Sequence, residues 1–273
     1  MPAHSRLGQN FLQDAQAIQR IGQALGNCAG RTVVEIGPGR GAITQALAAR
    51  CGRLLAVELD AELAAELRTQ VPAKNLTIVS QNILAFDFAG AAAEAGEQLL
   101  VAGNLPYYIT SPILLKLAEA HAVIERAVLM VQREVADRVT AQPGGRDYGL
   151  LSVTVQLYGP VEMLFTLPPG AFSPPPKVHS AVFRWRFAPR FSELGVPEKA
   201  FIAFLRQCFA QKRKTLGNNL RAAGFAPAEI AAALSRAHIA AQARAETLAL
   251  EGFAALWHAL HAEGATSLQE AAP

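Results

Sequence analysis

The sequence predicts an α/β fold followed by a small all-helical part. Three observations carry this. Short apolar strands alternate with apolar-periodic helices over the first half of the chain, a glycine-rich turn joins the first of those strands to the helix after it, and from Pro197 onward the pattern is helical throughout. Alternation of this kind implies right-handed crossovers, and therefore a parallel sheet covered by helices on both faces.

Arg31 to Ile36 (RTVVEI) reads as a short buried strand, and the turn after it leads into a helix from about Ala42 to Cys51. Arg53 to Leu59 is a second strand. Asp60 can cap the next helix, which runs to about Val71 before Pro72. Leu76 to Ser80 and Leu99 to Ala102 are the third and fourth strands. Between them Ala89 to Gln98 is small, Gly/Ala-rich and acidic, and reads as an irregular connection or a poor helix. A helix from Pro112 to Ala120 and a strand from Ala127 to Val131 complete the alternation. Val161 to Phe165 and Val178 to Phe187 read as strands separated by the proline-rich stretch Pro168 to Pro176. With no helix between them they are expected to form an antiparallel edge. Four helices follow, over Glu198 to Ala210, Lys214 to Ala223, Pro227 to Arg236 and Thr247 to His261. Ala188 to Val196 reads as a linker, which divides the chain into residues 1–190 and residues 191–273.

Composition narrows the function classes. With 51% hydrophobic and 17% charged residues the chain can bury a substantial core, which argues against global disorder. A formal charge of +3 is compatible with a nucleic-acid partner without demanding one. The three cysteines, Cys28, Cys51 and Cys208, are far apart and match no metal spacing, so a reducing compartment is expected rather than a disulfide framework. The first ten residues contain no apolar signal segment, and no run approaches the ~20 residues that span a bilayer. A soluble, cytoplasmic monomer without membrane or metal partner is the expectation, and the histidines form no recognisable ligand set.

Residues 35 to 42 read Glu-Ile-Gly-Pro-Gly-Arg-Gly-Ala. Glycines after a first strand let the backbone turn sharply and approach a ligand closely. Glu58 ends the next strand about 20 residues on, where an acid can accept hydrogen bonds from ribose hydroxyls. Together they predict a nucleoside-containing cofactor. Gly37-x-Gly39-x-x-Ala42 also satisfies the relaxed dinucleotide fingerprint, so the loop alone leaves NAD open.

Asn104-Leu105-Pro106-Tyr107 follows the fourth strand, at the carboxyl edge of the expected sheet. Adenine N6 is a poor nucleophile because its lone pair is delocalised into the ring. A site helps by accepting hydrogen bonds from both amino hydrogens, one through the Asn104 side-chain oxygen and one through the Leu105 carbonyl. Pro106 biases Leu105 to an extended conformation that can aim that carbonyl. Tyr107 offers a ring on which a base can stack, worth ~1–3 kcal/mol. No carboxylate is needed if the methyl donor is a sulfonium and the rate comes from in-line positioning and electrostatics.

With this motif the sequence resembles the adenine and amino-group methyltransferases. Three more segments narrow the resemblance. Gly8-Gln9-Asn10-Phe11-Leu12 is similar to the N-terminal cofactor-lid motif of the ribosomal RNA adenine dimethyltransferases, Phe172 to Val182 (FSPPPKVHSAV) to their F-x-P-x-P-K-V-x-S-A-V signature, and Gln211 to Leu220 (QKRKTLGNNL) to the basic segment of their small helical domain. The resemblance runs from about Ser5 to Leu260 and is closest to the bacterial small-subunit (16S) branch.

The resemblance implies a Rossmann-like S-adenosylmethionine-dependent methyltransferase domain over residues 1–190 and a small helical RNA-binding domain over 191–273. It implies dimethylation of two adjacent adenines in the 3′-terminal hairpin loop of 16S rRNA within the small subunit or its precursor, with a late role in subunit assembly. Asn10 and Leu12 are expected to contact S-adenosylmethionine, Gly37 and Gly39 to line its methionine portion, and Glu58 to hold the ribose. Asn82 stands where the family often has an aspartate near the cofactor adenine, and an amide can still accept from an exocyclic amine through its oxygen. Asn104 is expected between cofactor and target amine, with Tyr107 and Phe172 sandwiching the flipped base. Phe11 is expected as a core aromatic, Tyr108 as supporting structure, and Glu35 as either a structural acid or a ligand contact.

Between Pro197 and Arg221 the cations are Lys199, Arg206, Lys212, Arg213, Lys214 and Arg221, against the single acid Glu198. Such clustering suits a phosphate backbone, and Lys177 is expected to extend the patch. The competing readings are a large-subunit (23S) adenine methyltransferase of the macrolide-resistance type, a DNA adenine methyltransferase, a ribosome-assembly factor whose binding matters more than its catalysis, and a NAD-dependent oxidoreductase. The F-x-P-x-P-K-V-x-S-A-V and basic segments favour the small-subunit enzyme. No separate DNA-recognition domain or hydride-transfer acid/base is evident.

Overall fold

The structure, a computed structural model, describes residues 10–261. Gly8 and Gln9 of the N-terminal motif, and His4, lie outside the described residues. Among the described residues no helix is long and apolar enough to cross a membrane, and no group of His, Cys, Asp and Glu is arranged to hold a metal ion.

In chain order the elements are β1 (Phe11–Leu12), α1 (Ala15–Ala24), β2 (Thr32–Ile36), α2 (Ala42–Ala48), β3 (Arg53–Glu58), α3 (Ala61–Gln70), β4 (Leu76–Ser80), α4 (Phe88–Ala95), β5 (Leu99–Asn104), α5 (Thr110–Glu119), β6 (Ile124–Gln132), α6 (Arg133–Thr140), α7 (Leu150–Leu157), β7 (Val161–Leu167), β8 (Phe172–Ser173), β9 (Ser180–Arg186), α8 (Phe191–Leu194), α9 (Glu198–Cys208), α10 (Leu216–Ala222), α11 (Pro227–Arg236) and α12 (Leu250–His261). They fall into two compact units. The first takes the described residues up to Asp137 together with 159–188, and the second takes 138–158 together with the described residues from Pro189 on. A single boundary near Arg190 does not separate 138–158, which lies with the helical unit. There α7 packs on α9, the Tyr158 hydroxyl donates to Glu198 at 2.9 Å, and Tyr158 meets the Phe191 ring edge-on.

The first unit is a seven-stranded sheet in the order β4-β3-β2-β5-β6-β9-β7. The first five are parallel, and β9 runs antiparallel to both its neighbours, giving the antiparallel edge that the helix-free sequence implied. The connection order turns back between β2 and β5, since β2 leads outward to β3 and β4 while β5 leads outward to β6. In a parallel sheet the carboxyl ends at such a reversal open a crevice. Gly103 lets the two strands close up there, because a Cβ on it would lie 2.6 Å from the Ile36 carbonyl oxygen. The central strands β2, β3 and β5 are rich in Val, Leu and Ile and buried on both faces, as a sheet covered on both sides requires.

The segment read as an irregular connection or a poor helix is a regular helix, α4. Asp87 caps it by accepting from the Gly90 N–H at 2.9 Å, and Gly96 ends it with φ +69°. Alanine is the best helix former, so a capped alanine-rich stretch needs little more than the burial of Phe88 and Ala92. In the second unit, Phe201 and Phe204 meet the Trp257 ring edge-on at 5.9 and 5.5 Å between centroids, and Phe209 packs against Phe253.

Candidate active site

The glycine turn leaves β2 at Ile36 and re-enters helix at Ala42. Gly37, Gly39 and Gly41 all have positive φ, at +64°, +54° and +83°. A Cβ on Gly41 would lie 2.6 Å from the Leu67 side chain, and one on Gly39 would lie 3.0 Å from the Phe11 ring. The Gly39 N–H donates to Glu58 Oε2 at 3.1 Å, and the Asp60 N–H donates to Glu58 Oε1 at 3.0 Å. Glu58 is 4% exposed, so this carboxylate is held by backbone donors from two elements and braces the turn from the end of β3. Glu35, in the middle of β2's buried run, is 1% exposed, and its Oε2 has no hydrogen-bond partner among the described residues. Burial pushes its pKa up to about 8; the neighbouring Glu58 charge adds to the rise and the Thr44 side chain opposes it.

Asn104 is the last residue of β5. Its Nδ2 donates to the Asn10 carbonyl at 3.0 Å, which fixes the amide plane and turns Oδ1 to the other side. Leu105 is buried, and its N–H donates to the Met130 carbonyl on β6 at 2.9 Å. Pro106 is extended (φ −59°, ψ 126°), and its carbonyl accepts from the Ile109 N–H and the Thr110 hydroxyl. The loop is thus tied down at each step. The Tyr107 hydroxyl lies 2.7 Å from Ser180 Oγ, which is fully buried at the start of β9. Burial raises the Tyr107 pKa, and Ser180 partly offsets the rise.

These groups line one cavity of about 190 Å³. Its walls include Asn10 and Leu12 from the N-terminal segment, Glu35, Gly37 and Gly39 from the turn, Glu58, and the whole Asn104-Leu105-Pro106-Tyr107 loop. A smaller cavity of about 50 Å³ shares Gly37, Glu58 and Pro106 with it and is bounded by Leu59, Asn82, Ile83 and Tyr108. Asn82 Oδ1 accepts from the Leu84 N–H at 3.0 Å, so the oxygen expected for an exocyclic amine already holds a backbone partner. Tyr108 is 58% exposed on this rim, a wall residue rather than supporting structure.

The two phenylalanines exchange places relative to the sequence reading. Phe172 is 3% exposed and sits in the core with Leu12, Leu167, Met130 and Val182. The cause is β8, a short strand paired antiparallel with β1 so that Phe172 stands opposite Leu12. The prolines around it are on an irregular loop, but its own side chain turns inward. Phe11, expected in the core, lines the larger cavity, and the Arg40 guanidinium lies over its ring at 4.6 Å. Phe11, Arg40 and Ser180 join the site from outside the sequence reading. A single sequence offers no periodicity that would have sorted them.

In the helical unit Lys212, Arg213 and Lys214 occupy the exposed turn between α9 and α10, and Arg221 is exposed on α10. Buried Asn219 holds the turn, with Nδ2 donating to the Cys208 and Gln211 carbonyls and Oδ1 accepting from the Gln211 N–H. Arg244 donates to the Lys212 carbonyl at 3.2 Å. Lys177 is exposed in the first unit, on the loop before β9.

The chain is 60% identical over 256 residues to the Ribosomal RNA small subunit methyltransferase A of Acidobacterium capsulatum, covering 93% of this chain and 90% of the relative. It is 50% identical to the protein of the same name from Koribacter versatilis, covering 94% of each. Among solved structures it is similar to the 23S rRNA methyltransferase ErmE, with TM-score 0.70 and 27% identity over 92% of this chain and 99% of that one. It shares the fold of a dimethyladenosine transferase from Plasmodium falciparum, with TM-score 0.79 and 23% identity over 93% and 98%. The family described as Ribosomal RNA adenine dimethylase matches residues 2–261. That match takes in the glycine turn, the Asn104 loop, the β8–β9 segment and the basic turn together, and the chain belongs to the ribosomal RNA adenine dimethylase family.

Proposed function

We propose that the protein dimethylates N6 of two adjacent adenosines in the 3′-terminal hairpin loop of 16S rRNA, using S-adenosylmethionine. The observation that carries this is the pinned Asn104 amide on the wall of a cavity that also holds the glycine turn and the buried Glu58. S-adenosylmethionine supplies a methyl group activated on a sulfonium. The residues present fit such a cofactor: a Cβ at Gly39 would press on the Phe11 ring at 3.0 Å, Glu58 offers a buried carboxylate on the path to ribose hydroxyls, and Leu59 and Ile83 offer apolar surface for a base.

The protein's work is positional. Asn10 fixes the Asn104 amide so that its oxygen accepts one hydrogen of the target amine, and the Leu105 carbonyl accepts the other. Both draw the lone pair toward the methyl group and out of the ring. Tyr107, anchored by Ser180, stacks on the base. Each transfer would break the sulfur–methyl bond and leave neutral S-adenosylhomocysteine; the new methyl would replace one N–H, whose proton passes to solvent, and after the first transfer the remaining N–H keeps one acceptor. Gly37, Gly39, Asn10 and Leu12 hold the methionine and sulfur end. Phe11 stands beside the same cavity, against Gly39 and Arg40.

The exposed Lys212, Arg213, Lys214 and Arg221, with Lys177, engage RNA phosphates. Such contacts confer salt-dependent affinity and leave selectivity to RNA shape. The same grip supports a late role in small-subunit assembly in the cytoplasm. The name carried by the 60% identical relative favours the small subunit over the 23S target of the more distant structural relative.

The test uses purified protein, labelled S-adenosylmethionine and small subunits from cells lacking the two dimethyladenosines, with nucleosides identified by mass after digestion. Label as dimethyladenosine at the two loop positions is the expected result. Label confined to large-subunit RNA would overturn the target while leaving the chemistry intact.

A further inference from the structure

Among the described residues that line the larger cavity there is one cation, Arg40, from the glycine turn. Its side chain is exposed, which puts it at the cavity rim, and its guanidinium lies over the Phe11 ring at 4.6 Å. It makes no ion pair and no side-chain hydrogen bond among the described residues. The ring contact holds the charge in place and leaves its N–H donors unused. Phe11 is itself fixed, standing opposite Ser173 in the β1–β8 ladder. Neither acid of the cavity pairs with Arg40. Both Glu58 oxygens accept backbone N–H groups, from Gly39 and Asp60, and burial pushes the Glu35 pKa up to about 8, which keeps that carboxyl protonated at neutral pH.

An exposed cation with spare donors, beside a reaction cavity, suits an anion that arrives from solvent. The inference rests on the proposed reading, in which the base of an RNA adenosine leaves its stack and enters this cavity between Asn104 and Tyr107. The phosphate from which that nucleotide hangs then stays outside, at the rim. We propose that Arg40 holds this phosphate, so that the catalytic unit grips the RNA backbone at the target nucleotide itself. A guanidinium can give a phosphate two parallel N–H donors, which fixes orientation as well as charge. The cofactor brings a second anion, the carboxylate of its methionine portion. That carboxylate carries an ammonium beside it, and its end of the cofactor belongs to Asn10, Leu12, Gly37 and Gly39, whereas the Arg40 side chain is turned to solvent. The role differs from that of Lys212, Arg213 and Lys214, which hold RNA as a whole. Arg40 positions one nucleotide, and Phe11 holds Arg40 ready for it.

The experiment compares the full chain with Arg40→Ala and Arg40→Lys. Calorimetry reads the affinity for S-adenosylhomocysteine, which also reports that each variant is folded. Binding of undermethylated small subunits to the S-adenosylhomocysteine-loaded protein is then followed over a range of salt concentrations. Arg40→Ala is expected to weaken subunit binding by roughly tenfold at moderate salt and to flatten the log K against log salt plot by about 0.7, the share of one phosphate contact, with S-adenosylhomocysteine affinity changed by less than about threefold. Arg40→Lys keeps the charge and is expected to restore the wild-type slope. An unchanged slope in Arg40→Ala would overturn the proposal, as would a slope in Arg40→Lys equal to that of the alanine variant. A fall of about tenfold or more in S-adenosylhomocysteine affinity would assign Arg40 to the cofactor carboxylate and overturn it equally. Failure of the underlying reading is seen apart from these, in the wild type alone, as an absence of methyl transfer to the same subunits.

Discussion

In the α/β unit, the groups proposed to do chemistry hang from strand ends and are held by buried partners: Asn104 by the Asn10 carbonyl, Glu58 by two backbone N–H groups, Tyr107 by Ser180. In the helical unit, the cations proposed to hold RNA are exposed, and what is buried is the support beneath them, Asn219. The contrast follows from what each region must recognise. Orienting one lone pair toward one methyl group requires side chains fixed to fractions of an ångström. A phosphate backbone presents diffuse charge, and long cations left free in water meet it with little constraint provided their turn is rigid.

Three variants sharpen this contrast. Asn104→Ala is expected to have the largest effect, a loss of roughly 10²–10³-fold or more in methyl transfer with S-adenosylhomocysteine affinity changed by less than tenfold. Calorimetry beside a methylation assay measures both, and an equal fall in the two would assign Asn104 to cofactor binding alone. Replacing Lys212, Arg213 and Lys214 together by alanine is expected to weaken RNA binding by about tenfold to a hundredfold at moderate salt. It should also flatten the log K against log salt plot by about 2 for single-stranded contacts. A parallel displacement of the plot without change of slope would mean that these cations meet no phosphates.

The third variant, Glu35→Gln, acts on stability and depends on pH. In the fold the Glu35 carboxyl keeps its proton up to about pH 8, whereas in the unfolded chain it releases it near its ordinary value of 4.5. Wild-type stability is therefore lost as pH rises between those values and levels off above the upper one. The Gln variant lacks this loss. Its stability advantage should be absent near pH 4.5 and exceed about 2 kcal/mol at pH 9. Denaturant titrations across that range check it, and an advantage independent of pH would show that Glu35 is already ionised in the fold.

The sheet and its glycine turn were legible because their signals are local. Apolar runs such as TVVEI and LLVAGN, a capping aspartate at Asp60 and three closely spaced glycines each specify their own backbone. Helix α7 (LLSVTVQL) was not legible, because burial on nearly every side removes the helical period and its β-branched residues favour a strand reading. Within the site, residue types and spacing announced Asn104 and Glu58, but which phenylalanine faces the cavity depends on the pairing of β1 with β8, a contact across about 160 residues of chain that no local pattern encodes. The same holds for Ser180 and Asn219, small polar residues whose importance comes from the distant groups they hold.

The division between a fixed catalytic cavity and a rigidly mounted RNA grip is tested most directly by single-turnover methylation of undermethylated small subunits, with dimethyladenosine counted by mass. The Lys212, Arg213 and Lys214 triple variant should recover the wild-type rate constant at saturating subunit concentration, with only the half-saturating concentration raised, while Asn104→Ala should stay slow at every concentration. A triple variant that remains slow at saturation would place the basic turn in the chemistry itself and contradict the account.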